Sequence, residues 1–237
     1  GGREGEGVDP AASRHRRMAG HDSATSRRRL QVGVIVAASV LLRCAVGQYP
    51  YSGMGNEGGT VRKDGTKMFG DYEAQRHWME ITLHTPVREW YTPTKQNDLD
   101  YWGLDYPPLT AYHSYLCGWI FDKVEPASVA LRTSRGYETP SSKLLMRSAA
   151  LVSDVATLHI GAYVAALAAY PAQGDDRMIT AFALVLMQPG FILIDHGHFQ
   201  FNCVCLGLAA VAAACVCRGA MAEARVGVWQ LVGSIMF

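Results

Sequence analysis

The chain has 237 residues and a formal net charge of +1, so bulk electrostatics give no reason to pair it with nucleic acid. Its mean hydropathy of +0.02 averages over unlike parts, a basic polar start and a polar aromatic loop set among strongly apolar runs. All six cysteines lie in or beside the apolar runs, which argues against a disulfide framework. Cys203 and Cys205, like Cys215 and Cys217, would point to different sides of a helix and do not converge on one metal ion.

Residues 1–29 read as a basic polar tail, with Arg3, Arg14, Arg16, Arg17, Arg27, Arg28 and Arg29. Residues 1–17 show no structural period. Residues 30–47 form the first apolar run, broken by Gln31 and Arg43. At about 1.5 Å per residue it nearly spans a hydrocarbon core of about 30 Å. The arginines before it should stay cytosolic and send the following loop, residues 48–108, across the membrane. A cleaved signal peptide is the competing reading, weakened by the polar stretch ahead of the run and the lack of a clear cleavage site.

Further apolar segments follow at 109–121, 144–170, 178–194, 201–217 and 226–237. Gln188-Pro189-Gly190 interrupts the third of these and predicts a kinked or discontinuous helix. Small residues in 201–217 suit close helix packing. Residues 123–143, carrying Lys123, Arg132, Arg135 and Lys143, are expected to be a cytosolic loop. The chain reads as the front part of a longer membrane protein: an all-α, multi-spanning fold, with residues 30–237 as the N-terminal part of its transmembrane domain.

Three clusters could carry chemistry. Asp71 follows Gly70 and is placed to cap or open a helix ending at Thr85-Pro86. On it, Asp71, Gln75 and Trp78 share one side, while Tyr72, Arg76, Met79 and Leu83 form a strip suited to the membrane interface. Asp71 is a capping residue, or a base if it faces a cavity holding a hydroxyl. In the second cluster, Asp105 precedes Pro107-Pro108, and Trp102 and Tyr106 could stack on a sugar face or anchor the interface. The third, Asp195-His196-Gly197-His198-Phe199-Gln200-Phe201-Asn202, is a polar set between apolar runs, and so a functional candidate; helix capping explains it as well. Arg147 and Asp154, seven apart, could form an ion pair or a polar line. Asp98-Leu99-Asp100 is a weak match to the acidic pairs that hold divalent ions.

Gly70-Asp71-Tyr72-Glu73-Ala74-Gln75-Arg76-His77-Trp78, Tyr101-Trp102-Gly103-Leu104-Asp105-Tyr106-Pro107-Pro108-Leu109-Thr110, Ser134-Arg135-Gly136-Tyr137-Glu138 and Asp195 to Asn202 together resemble the endoplasmic-reticulum glucosyltransferases that use dolichyl-phosphate glucose to build the N-glycan precursor. The resemblance covers roughly residues 30–210. It is stronger to the members that add the first glucose, in alpha-1,3 linkage. The sister enzymes adding the second share Asp-Tyr-Pro-Pro and His-Phe-Gln but lack the run around Asp71 and the Trp-Gly before Leu-Asp-Tyr-Pro-Pro.

The resemblance implies a multi-pass GT-C-type enzyme of the endoplasmic reticulum membrane with a lumenal active site and no cofactor or metal. It implies a dolichyl phosphate glucose donor, a dolichyl-pyrophosphate oligosaccharide acceptor and the lipid bilayer as partners. It makes Asp71 the general base of an inverting transfer. Asp105, Arg76, His77, Trp102, Tyr106 and His198 are then expected to touch substrate, with Arg76 and His77 facing the leaving phosphate. A further His-containing motif of the family, of the type His-Val-His-Glu-Lys-Ala, is not present in these residues. Residues 1–17 match nothing in the family. A non-catalytic membrane scaffold with interfacial loops is the reading from another class. A transporter draws some support from the break at Pro189, but no second break mirrors it.

Overall fold

The computed structural model describes residues 10–49, 60, 61, 63, 65, 67–172, 176–218 and 221–237. The expectation for residues 1–9 lies outside the described residues. From Pro10 the backbone is helical and continuous with the first apolar run, in α1 (Pro10–Val46). A two-stranded ribbon, β1 (Thr60–Val61) against β2 (Lys67–Met68) with Thr60 opposite Met68, leads into α2 (Asp71–His84). Then come α3 (Pro108–Val124), α4 (Pro140–Asp154), a π-helical turn (Val155–His159) and α5 (Ile160–Ala169). The chain continues with α6 (Asp176–Leu186), α7 (Pro189–Ile192), a second π-helical turn (Leu193–Gly197), α8 (Asn202–Arg218) and α9 (Met221–Met236).

The boundaries follow local chemistry. Thr85, held extended ahead of Pro86, ends α2. Pro108 opens α3 and Pro140 opens α4, positions where the missing N–H costs nothing. Thr139 caps α4 reciprocally with Ser142. The predicted break at Gln188-Pro189-Gly190 is present: Gln188 is extended, and the helices on either side meet at 41°.

Among the described residues two stretches are long and apolar enough to cross a membrane, Ser23–Val46 and Pro140–Ala169, and the bent pair around Pro189 makes a third where it counts as one span. At about 1.5 Å per residue the first two reach about 36 and 45 Å, enough for a core of about 30 Å. Leu30, Leu41, Leu144, Val152, Ile160, Leu184 and Val216 point outward, as lipid-facing side chains do. The expectation of an all-α, multi-spanning protein is borne out.

Backbone contact fixes the packing of α8. A Cβ on Gly207 would lie 2.3 Å from the carbonyl carbon of Thr157, and one on Gly161 2.4 Å from the Gly207 oxygen. Both glycines are there for close approach. Gly207→Leu should therefore separate α5 from α8 and lower thermal stability by about 1–3 kcal/mol or more, read as a drop in the melting midpoint of the detergent-purified protein.

The expected cytosolic loop at 123–143 is corrected. α3 runs back along α2, where a Cβ on Gly118 would sit 2.7 Å from the Met79 carbonyl oxygen. The segment after α3 then binds α2 and the preceding loop. The Arg132 N–H donates to Glu80 Oε1 at 2.6 Å, Ser134 Oγ to Glu80 Oε2 at 3.0 Å, and Arg135 pairs with Asp98 at 3.8 Å. Residues 125–139 thus share the side of the 67–107 loop. The charge bias misled because three of its four cations are paired: Arg135 with Asp98, Lys143 with Glu138, Lys123 with Asp122. Asp98, half of the weak Asp-Leu-Asp match, is spent in that ion pair.

A second correction concerns α2. Tyr72, Arg76 and Met79 are buried, and Leu83 packs on the same core, so this strip faces protein, not an interface.

Candidate active site at the end of the spans

Gly70 is extended (φ −83°, ψ −162°), and the chain becomes helical at Asp71. The carboxylate therefore stands in the first turn of α2, where unpaired N–H groups favour negative charge. No side chain caps this helix, so capping does not consume Asp71. Its Oδ2 instead pairs with His198 Nε2, the two side chains being 32% and 40% exposed. A carboxylate only accepts, so Nε2 donates and the other oxygen is left for a ligand.

The loop carrying His198 is held rigidly. Asp195, just before it, is buried and accepts the Asn202 N–H at 2.9 Å, the Asn202 amide at 3.1 Å and the Cys203 N–H at 2.6 Å. It thereby caps α8. Phe199 adopts φ +74°, a left-handed conformation that costs a side-chain-bearing residue of order 1–3 kcal/mol. Its ring is wedged 5.3 Å from Tyr72 and 5.8 Å from Phe201. Trp102 is likewise left-handed at +53°. Its indole N–H donates to Phe69 O, and its carbonyl accepts the Trp78 indole N–H, both at 3.0 Å. Tyr106 lies 5.1 Å from Trp78. Buried Trp78 backs the half-buried rings of Trp102 and Tyr106, which form an aromatic shelf near the start of α2.

Asp105 is exposed at the edge of this shelf. Burial raises the Tyr106 phenol above its ordinary pKa, and the charges of Asp105, Asp71 and Asp195 add to that. A cavity of about 200 Å³, lined by Gln75, Tyr106, Gln200, Phe201 and Asn202 among others, shares Tyr106 with this shelf; Asp71 and His198 are not on its wall. Amides over aromatic faces are what a neutral polyhydroxylated ring needs. Gln75 lies one turn beyond Asp71, which the spacing of α2 already indicated; Gln200 and Asn202 belong to the polar cluster the sequence offered, though their place on a cavity wall with Gln75 was not legible there.

Arg76 and His77 go elsewhere. All five guanidinium N–H groups of Arg76 are used. Nε donates to Glu73 at 2.8 Å, Nη2 to Glu73 and Glu80 at 2.7 Å each, and Nη1 to Ser134 Oγ at 2.6 Å and Ser128 O at 3.1 Å. No donor remains for a phosphate. His77 is buried with Nδ1 3.3 Å from Glu80, and Tyr101 donates to Glu73 at 2.9 Å. Burial alone would raise the Glu80 pKa, but the His77 hydrogen bond and the Arg76 charge bring it from 4.5 to about 2. The expectation that Arg76 and His77 meet the leaving phosphate gives way to this internal ion cluster. Acids at i−3 and i+4 from Arg76 were its visible signal.

A second polar cluster lies among the spans. Asp154 accepts Arg43 Nε at 2.6 Å, His196 Nε2 at 2.9 Å and His159 Nδ1 at 3.0 Å. His159 and His196 come from the two π-helical turns, irregularities that commonly mark functional or strained sites. Of the two alternatives for Arg147 and Asp154, the ion pair does not form. Seven residues separate the two by about 10 Å along the helix, and Arg43 from α1 is nearer. Arg147 instead donates to Gln48 at 3.3 Å.

A family model described as the ALG6, ALG8 glycosyltransferase family matches residues 39–237. The dolichyl pyrophosphate Man9GlcNAc2 alpha-1,3-glucosyltransferase of Gallus gallus is 41% identical over 204 residues, 86% of this chain and 36% of that protein. The protein of that name from Saccharomyces cerevisiae is 45% identical over 186 residues, 76% of this chain and 31% of its own. A probable one from Dictyostelium discoideum is 47% identical over 175 residues, 74% and 32% respectively. The chain thus spans about a third of the length of the curated relatives it matches. With a family match that runs from the last turns of α1 through α9, the chain belongs to the ALG6, ALG8 glycosyltransferase family.

Proposed function

We propose that the whole protein transfers glucose from dolichyl phosphate glucose to a dolichyl-pyrophosphate-linked Man9GlcNAc2 oligosaccharide, inverting the anomeric centre to give an alpha-1,3 linkage. Asp71 is the general base. It takes the proton of the acceptor mannose hydroxyl as that oxygen bonds to C1 of glucose, while the bond from C1 to the phosphate oxygen breaks and dolichyl phosphate leaves. His198 holds one carboxylate oxygen and turns the other toward the acceptor. Trp102 and Tyr106 offer the faces on which a sugar ring stacks, and Asp105 positions acceptor hydroxyls at the rim. The reaction takes place at the lumenal face of the endoplasmic reticulum membrane.

The observation that carries this reading is a part-exposed acid in the first turn of α2, not spent as a helix cap and paired with His198. The names of the relatives supply the substrate and the linkage. The run Gly70 to Trp78 favours the first glucosylation over the second. The test offers the purified full-length protein radiolabelled dolichyl phosphate glucose with each acceptor separately. Transfer to Man9GlcNAc2 is expected. Label appearing only on the once-glucosylated acceptor would move the chain to the second step, and label on neither would leave the scaffold reading.

A further inference from the structure

Both π-helical turns meet one buried carboxylate, and the reaction scheme gives that carboxylate no part. Residues five apart on an α-helix point about 140° from each other and do not touch. Asp154 and His159 are five apart, yet His159 Nδ1 reaches Asp154 Oδ1 at 3.0 Å, because residues 155–159 wind as a π-turn. From the second turn, residues 193–197, His196 Nε2 donates to Asp154 Oδ2 at 2.9 Å. Asp154 is fully buried, and Arg43 from α1 balances its charge. The cluster thereby ties the two candidate spans to the bent pair.

An ion pair that only held helices together would need no π-turn. Such a turn inserts one residue into a helix and recurs at functional sites. Everything after it is displaced by about 100° around the axis, the angle one residue takes in an α-helix. In the second turn the His198 N–H donates to Leu193 O, five residues back, at 2.7 Å, and the Gln200 N–H to Asp195 O, again five back, at 3.4 Å. An α-helical bond from His198 would end on Ile194 instead. His198 would then point about 100° away from the position in which its Nε2 pairs with Asp71.

Two buried anchors hold this turn. Toward α8, Asp195 takes the Asn202 and Cys203 N–H groups. Toward α4, His196 is fastened to Asp154. Adjacent side chains on a helix point about 100° apart, so the two anchors pin the turn from different sides. Asp195 fixes where α8 begins, and His196 fixes how far the turn before it is wound.

We propose that His196, anchored on Asp154, is a positioning residue for glucosyl transfer: it holds the π-helical register that sets His198 against Asp71. The proposal rests on the reading of Asp71 as the general base. The cluster acts through His198 and not on substrate. A network that served stability alone would lower the melting point and leave the turnover of the folded protein as it was.

The experiment uses the full-length protein in detergent. His196→Phe, which keeps a ring but cannot donate, should lower kcat about tenfold with the KM of both substrates unchanged, since a misplaced group costs rate and not binding. His196→Gln, whose amide still donates to Asp154, should recover most of the loss. In a His198→Ala background no imidazole is left to place, so adding His196→Phe should cost nothing further. His196→Leu serves if the larger ring is not accommodated. A wild-type kcat in the folded fraction, or a full additional loss in the His198→Ala background, would overturn the proposal. A second readout needs no transfer at all. Asp71→Cys with His198→Cys, treated with a short bifunctional methanethiosulfonate and scored by peptide mass spectrometry, should cross-link with His196 in place and about tenfold less with His196→Phe. Equal cross-linking in the two would overturn the positioning role and leave Asp71 as the base. A wild-type transfer rate in Asp71→Asn would overturn the base reading alone, with the cross-link still deciding whether His196 sets the pair.

Discussion

Asp71→Asn in the full-length protein is expected to lower glucose transfer by about 10²–10⁴-fold, the usual worth of a positioned general base. The amide has nearly the same shape but cannot take the acceptor proton. Folding should survive, because Asp71 makes no cap bond and its side chain is part-exposed. The loss should appear in kcat with little change in the KM of either substrate, since the residue acts on the proton and not on the bulk of either ligand. His198→Gln tests the arrangement around the base. Its longer amide can still donate to Asp71, so a loss smaller than that of Asp71→Asn is expected. Transfer by Asp71→Asn at the wild-type rate would remove Asp71 as the base and require another group to take the acceptor proton.

How much of this was legible beforehand varies by residue. The apolar runs, the stop at Pro86 and the break at Pro189 depend on local rules, and each appears where the sequence put it. Which side of the membrane a loop occupies depends on whether the intervening helix crosses, and α3 is not among the described helices long and apolar enough to do so. Its length was near the limit, and only the contact of Gly118 with Met79 settles that it folds back. The same reason hid the fate of Arg76. A cation beside a proposed base suggests a phosphate ligand, until Glu73, Glu80, Ser128 and Ser134 are seen to take every N–H. The meeting of Asp71 with His198 joins residues 127 positions apart, and no spacing rule reaches that far. Arg43 and Asp154 were each visible as lone charges in apolar runs, but their pairing belongs to the packing of α1 on α4.

Arg76→Ala should be the most destabilising change in the loop region, by about 3–5 kcal/mol, because it strands Glu73 and Glu80 without a counter-charge in a dry interior. Arg76→Lys should recover only part of this. One ammonium has three donors, against the five that the site uses. Adding Glu73→Gln to Arg76→Ala should restore stability non-additively, since the two residues share one network. The pH dependence has a definite sign. Glu80 is held at about 2, below its ordinary 4.5, so its contribution is fully present above about pH 4.5 and is lost as pH falls through the interval toward 2. Wild-type melting should therefore be insensitive to this cluster between pH 5 and 8. The measurement is thermal unfolding of the detergent-purified variants, with transfer assayed well below each midpoint. A melting point like that of wild type, together with a raised KM for dolichyl phosphate glucose, would return Arg76 to the substrate. A lowered melting point with unchanged KM in the surviving folded fraction is the expected result, and it would leave the charge on the leaving phosphate to be met by groups other than this arginine.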